Sequence, residues 1–180
     1  MSRKTIKIKL KKLSENAKLP QKSKEGDFCY DVYAVDREEV MPNVFKYKLG
    51  FAYEIERNNI VIENYNHKSC SGGIDFDMEL SPANICINFL PRSSVYKTGL
   101  VLCNSMGVLD EFYRGEAMAF FYHVIPELPI YEVGDRIGQI KIGFTYPCEF
   151  VWDDNINLKT ERGDGGFGSS GNKELNNNID

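Results

Sequence analysis

Short runs of alternating apolar and polar residues constrain this chain most. Ile6, Ile8 and Leu10 alternate with Thr5, Lys7, Lys9 and Lys11. Ile85, Ile87 and Phe89 alternate in the same way, as do Ile140, Ile142 and Phe144. A period of two puts every second side chain on one face of a strand. Met118 to Ile125 is a continuous apolar and aromatic run, the pattern of a strand buried on both faces. Between these runs sit turn formers: Asn58-Asn59, Ser71-Gly72-Gly73, Ser81-Pro82, Met106-Gly107 and Pro126 to Pro129. No window of about 12 residues keeps a 3.6 period. The stretch Ser93 to Leu102 is the best place for one short helix. The expectation is an all-β barrel or sandwich, and 180 residues suit one domain.

Two regions break the pattern. From residue 57 to 84 polar residues dominate, as in a hairpin insertion or long surface loop. The tail, residues 159–180, holds five of the fifteen glycines and three large apolar residues, Phe167, Leu175 and Ile179. It cannot bury enough surface to fold alone. It is expected to be flexible unless something orders it. Residues 1–158 are therefore expected to form the barrel.

Charge and composition exclude several classes. A net charge of −4 argues against general nucleic-acid binding, yet leaves room for a site that holds one nucleotide. No run of about 18 apolar residues exists, so no membrane span is expected. The Lys-rich start has no apolar stretch after it and does not resemble a secretory signal. The cysteines at 29, 70, 86, 103 and 148 form no CxxC pair, which fits free thiols in a reducing cytoplasm.

Five stretches carry polar chemistry. In the tail, Arg162-Gly163-Asp164-Gly165-Gly166-Phe167-Gly168-Ser169-Ser170-Gly171 offers a guanidinium fork, backbone N–H groups freed by glycine, two hydroxyls and an isolated ring. Such a ring can stack on a base, or the segment is simply a flexible Gly/Ser tail. Pro91-Arg92-Ser93-Ser94 opens the possible helix and suits a phosphate, although a capping serine needs no ligand. Gly107-Val108-Leu109-Asp110-Glu111-Phe112-Tyr113-Arg114-Gly115 suggests a β-hairpin. Asp110 within it is either a general base or a turn carboxylate capping its own backbone. In Gly134-Asp135-Arg136-Ile137-Gly138-Gln139, Asp135 and Arg136 suit structural pairing near the turn. Gln139 is polar inside an apolar strand and wants a partner. In Cys29-Tyr30-Asp31-Val32-Tyr33-Ala34, Asp31 needs a donor, a cation or a metal shell. His123, in an apolar strand, suits a satisfied core or interface histidine.

In this order the five stretches resemble the five motifs of the trimeric dUTP diphosphatase (dUTPase) family. The resemblance spans Cys29 to Gly171. It implies a jelly-roll β-barrel and a homotrimer whose active sites lie between subunits, with the tail of one chain closing over a neighbour's site as a lid. It implies hydrolysis of dUTP to dUMP and pyrophosphate with Mg2+. Asp110 would activate the water that attacks the α-phosphorus. Tyr113 would pack on the deoxyribose. The segment from Asn104 through Gly107, Val108 and Leu109 to Tyr113 would read uracil with backbone groups. Arg92, Ser93, Ser94 and Gln139 would hold the phosphates. Arg162, Ser169 and Ser170, with Gly168, would close on the γ-phosphate while Phe167 stacks on uracil. Asp31 would hold waters of the Mg2+ shell rather than the ion.

Several positions depart from the family pattern. Cys29 stands where a glycine is usual, Phe112 where many members carry an acid, and Gly138 where alanine is usual. The second motif is one residue shorter after Ser94. The 57–84 insertion resembles that of phage and Gram-positive relatives and is a candidate surface for a regulatory protein partner. Two other readings compete: a dCTP deaminase on the same barrel, and a regulatory binding protein on a dUTPase scaffold. Tyr113-Arg114-Gly115 and the Gly-Phe-Gly-Ser tail favour the dUTPase.

Overall fold

The computed structural model describes residues 6–56, 84–145, 148–156 and 159–160. Most of the 57–84 insertion, and the tail residues Arg162, Phe167, Gly168, Ser169 and Ser170, lie outside the described residues. Met1–Pro147 and Cys148–Asp180 form two compact units. In the second, Asn155 donates its backbone N–H to Asp153 Oδ1 at 2.8 Å, a local Asx-type turn.

The first unit is built from strands, as the alternation requires: β1 (Ile8–Lys12), β2 (Tyr30–Tyr33), β3 (Asp36–Met41), β4 (Val44–Lys48), β5 (Phe51–Ile55), β6 (Asn84–Leu90), β7 (Leu100–Leu102), β8 (Gly107–Leu109), β9 (Met118–His123) and β10 (Arg136–Thr145). They form three antiparallel sheets: β2-β10-β6-β8, β3-β4-β9-β7, and the pair β1-β5. Together they make the jelly roll. The core lies between the sheets, where Tyr47, Phe89, Phe121 and Tyr131 meet edge to face. That geometry sets the positive edge of one ring against the negative face of the next. Tyr47 closes its polar end by donating to the Tyr131 carbonyl at 3.1 Å. Burial pushes its phenol pKa up to about 12, so it stays a donor.

Three local expectations need correction. The run Met118 to Ile125 is not buried on both faces within the chain. Ala119 and Phe121 point into the core, whereas Phe120 and Tyr122 are 37% and 45% exposed. The sheet β3-β4-β9-β7 packs one face only, so the alternate residues of β9 point outward. The helix is shorter than Ser93 to Leu102. A single 3-10 turn covers Ser93–Lys97. Thr98 ends it, with its Oγ1 donating to the Val95 carbonyl at 2.7 Å. At Gly99 a side chain would lie 2.3 Å from the Ile125 carbonyl, so only glycine lets the chain pass into β7. Finally, the segment 107–115 is not a hairpin of its own. The strands that flank it, β7 and β9, pair antiparallel, but β8 within it crosses to β6 in another sheet, after a turn with Ser105 at a φ of 57°.

Candidate active site

The centre of the polar cluster is Asp31 on β2. It is 8% exposed, so its charge demands partners. Ser23 Oγ donates to Oδ2 at 2.7 Å, Arg136 to the same oxygen at 3.0 Å, and Arg92 Nε to Oδ1 at 3.2 Å. Burial opposes the carboxylate. The hydrogen bonds from Ser23 and Arg136 and the charges of both arginines outweigh it and hold the Asp31 pKa below its usual value.

A bulge makes this cluster possible. On β10, Arg136 lies opposite Tyr33 and Gly138 opposite Val32, with a register shift between them. Gln139 then falls opposite Asp31. In a regular strand, Arg136 and Gln139 would point to opposite faces, because their separation is odd. The extra residue returns both to the face of Asp31. Ile137 and Gly138 take up the slack inside the core.

Gln139 finds the partner its position requires, donating from Nε2 to the Pro91 carbonyl at 3.4 Å. Arg92 also reaches Ser94 Oγ at 3.4 Å. The structure thus gathers Arg92, Ser94, Arg136 and Gln139 around Asp31. Ser93, next to them in the chain, is exposed. Two guanidiniums with one carboxylate leave the cluster cationic, with donors of the kind that suit phosphate oxygens.

Asp110 and Tyr113 are not brought to this cluster by the same chain. On β8, Gly107 pairs with Phe89 and Leu109 with Ile87. Asp110 therefore leaves β6 at its Ile87 end, while Arg92 follows its Leu90 end. Five residue steps of extended chain separate Ile87 from Arg92, roughly 16 Å. Asp110 itself is exposed, at the start of a turn in which Tyr113 N–H donates to the Asp110 carbonyl at 3.0 Å. Tyr113 folds back, its hydroxyl donating to the Glu116 carbonyl at 3.0 Å. Gly115 makes room for that ring, since a side chain there would come within 2.3 Å of the Tyr113 hydroxyl oxygen. Asn104 and Val108 are exposed before the turn, and Gly107 and Leu109 are half-buried.

Some contributors were missed from sequence. Arg136 does not pair with its neighbour Asp135, which instead accepts the Glu132 N–H at 2.8 Å. Ser23 sits in a polar stretch with no pattern to mark it. His123 keeps its expected structural role, with Nε2 placed 3.1 Å from the Leu128 carbonyl.

A family model described as dUTPase matches residues 50–171. The chain belongs to the dUTPase family. The deoxyuridine 5'-triphosphate nucleotidohydrolase of Helicobacter pylori (strain Shi470) is 27% identical over 168 residues, 92% of this chain and 97% of that protein. That of Hydrogenobaculum sp. (strain Y04AAS1) is 30% identical over 169 residues, 93% of this chain and all of its own. Among solved structures, the dUTPase of Staphylococcus bacteriophage 80alpha with dUPNHPP superposes with a TM-score of 0.64 at 22% identity, covering 92% of this chain and 98% of that one. The dUTPase of phage phi11 of S. aureus, whose structure shows a species-specific insert, reaches 0.57 at 17% identity over 83% and 97%. Membership makes this chain a dUTP diphosphatase, and the deaminase alternative is not favoured.

Proposed function

We propose that this dUTPase builds each active site from more than one subunit of a homotrimer, with Asp110 activating the attacking water. The observation that carries the reading is the separation of the two halves. The cationic cluster at Asp31 leaves one end of β6 and Asp110 leaves the other. One chain presents each half to solvent, so a second chain must complete it. The outward apolar side chains Val101, Phe120 and Tyr122 give such an assembly surface to bury.

In this reading Arg92, Ser93, Ser94 and Gln139 bind the phosphate chain. Asp110 takes a proton as the water oxygen bonds to the α-phosphorus, and the bond from that phosphorus to the bridging oxygen breaks to release pyrophosphate. Tyr113 packs against the deoxyribose. The segment Asn104 to Tyr113 reads uracil, leaving groups unpaired against cytosine. Arg162, Phe167, Gly168, Ser169 and Ser170 form the lid.

Asp31 does not suit direct metal coordination. Three donors and two positive charges already occupy it. A carboxylate has about four acceptor positions, so one remains for a water of a Mg2+ shell. The cation is then held mostly by the triphosphate, where it offsets charge, as Mg2+ prefers. A regulatory protein partner at residues 57–84 is a separate proposal, carried by the length of that insertion.

Pyrophosphate release from dUTP, dCTP, dTTP and UTP, measured on wild type and Asp110→Asn, tests the assignment. Release from dUTP alone, lost in the variant while nucleotide still binds, supports it. Full turnover by Asp110→Asn removes Asp110 from the mechanism.

A further inference from the structure

The turn that carries Asp110 and Tyr113 is surface-exposed, yet it is tied to the interior from one short segment. The Tyr53 hydroxyl on β5 donates to the Asp110 carbonyl. That carbonyl also accepts the Tyr113 N–H. At the other end of the loop, Glu116 Oε1 accepts the Gly50 N–H at 3.1 Å, and Ala117 N–H donates to the Phe51 carbonyl at 2.8 Å. The Ala117 carbonyl in turn accepts the Leu49 N–H at 2.9 Å. Residues 49–53 therefore grip both ends of the loop 110–117.

Of these ties, only Tyr53 reaches Asp110 itself. Tyr53 is 3% exposed, and β5 is fixed in register on β1, with Tyr53 opposite Leu10. Burial raises the Tyr53 phenol pKa to about 12, which the charge of Asp110 also favours and that of Arg114 opposes. The group is a donor at any working pH. A buried phenol without a partner is costly, so the hydroxyl and the carbonyl hold each other.

We propose that Tyr53 is a positioning residue of the reaction: its hydroxyl fixes the backbone of Asp110, and so aims the carboxylate that accepts the water's proton. The inference rests on the assignment of that proton to Asp110. General-base catalysis demands hydrogen-bond reach, and a misplacement of about 1 Å costs on the order of 100-fold. A single tether from a rigid strand is the device that prevents such drift.

The test is Tyr53→Phe, which deletes one oxygen and keeps the ring in the core. The expected result is a fall in kcat of about tenfold, equal to about 1.4 kcal/mol of barrier. KM and the affinity for a non-hydrolysable dUTP analogue are expected to stay within about twofold, since Tyr53 is buried and touches Asp110 only through its backbone. Unchanged kcat, or a loss shared equally by kcat and analogue affinity, overturns the proposal. The second measurement needs no variant. Amide exchange of wild-type Tyr113 is expected to be slow for so exposed a turn, and exchange at the unprotected rate overturns the tether. Asp110→Asn, run in parallel, separates the two levels. Its full activity would sink the general-base assignment, whereas normal kcat in Tyr53→Phe beside a dead Asp110→Asn sinks only the tether.

Discussion

The ring of Phe89 occupies the space that a side chain at residue 138 would need. A Cβ placed on Gly138 would lie 2.1 Å from Phe89 Cζ, and Phe89 is 1% exposed. The two residues are diagonal neighbours across the β6–β10 ladder, where Ile140, two residues from Gly138, pairs with Phe89. This accounts for glycine at residue 138: β6 supplies the volume that β10 gives up. Gly138→Ala is expected to cost about 1–3 kcal/mol by overpacking. Phe89→Leu alone leaves a void, and the double variant is expected to recover at least about 1 kcal/mol relative to the sum of the singles. Urea unfolding of the four proteins measures this. Additive losses would show that the two sites do not share the space.

The strands were legible because alternation is local. Ile8 and Leu10, Ile85 to Phe89 and Ile140 to Phe144 each announce a face within a few residues. What stayed hidden depends on pairing across the chain. Arg136 meets Asp31 over 105 residues, and only a bulge in β10 turns it there. No local pattern encodes that bulge, so the sequence suggested a turn-side role for Arg136. Tyr53 carried no mark either: β5 buries Phe51, Ala52 and Tyr53 in a row, and nothing in that run singles out the one hydroxyl that needs a partner. Which carbonyl it reaches follows from the register of β5. Motif order gave the candidate site residues, and the β6–β8 register then set Asp110 apart from the cluster around Asp31.

Asp31 ties the arginines in place, which gives a pH signature. Its pKa is lowered in the folded chain, so folding favours its charged form. The stability it adds is therefore present above its ordinary value, about 4, and is lost as pH falls through the lower folded value. Asp31→Asn is expected to be less stable than wild type at neutral pH, because Arg92 and Arg136 lose their counter-charge. The gap in unfolding free energy is expected to shrink below about pH 4. A gap that stays constant down to acid would mean the pairs add nothing in solution.

Gly115 is expected to control sugar selectivity through Tyr113. A methyl group at residue 115 would meet the phenol at 2.3 Å, so the ring must leave its bond to the Glu116 carbonyl. Gly115→Ala is then expected to raise KM for dUTP and to narrow the preference for dUTP over UTP by about tenfold. Competing turnover of the two nucleotides gives the ratio directly. An unchanged ratio would mean that the Tyr113 ring does not contact the sugar.

Shared sites predict that two inactive chains can repair each other. A chain ending at Lys159 lacks Arg162, Phe167, Ser169 and Ser170 but keeps Asp110. Asp110→Asn keeps the tail and lacks the carboxylate. Each alone is expected to be nearly silent, with the barrel of the truncated chain still folded. If a site takes Asp110 from one subunit and the lid from another, mixed trimers contain repaired sites. With equal amounts and random exchange, about a quarter of sites draw both parts intact, half for each part independently. Refolding the two together and measuring dUTP turnover reads that fraction. If each site took both parts from a single chain, no mixture would contain an intact site, and the mixture would stay as silent as its components.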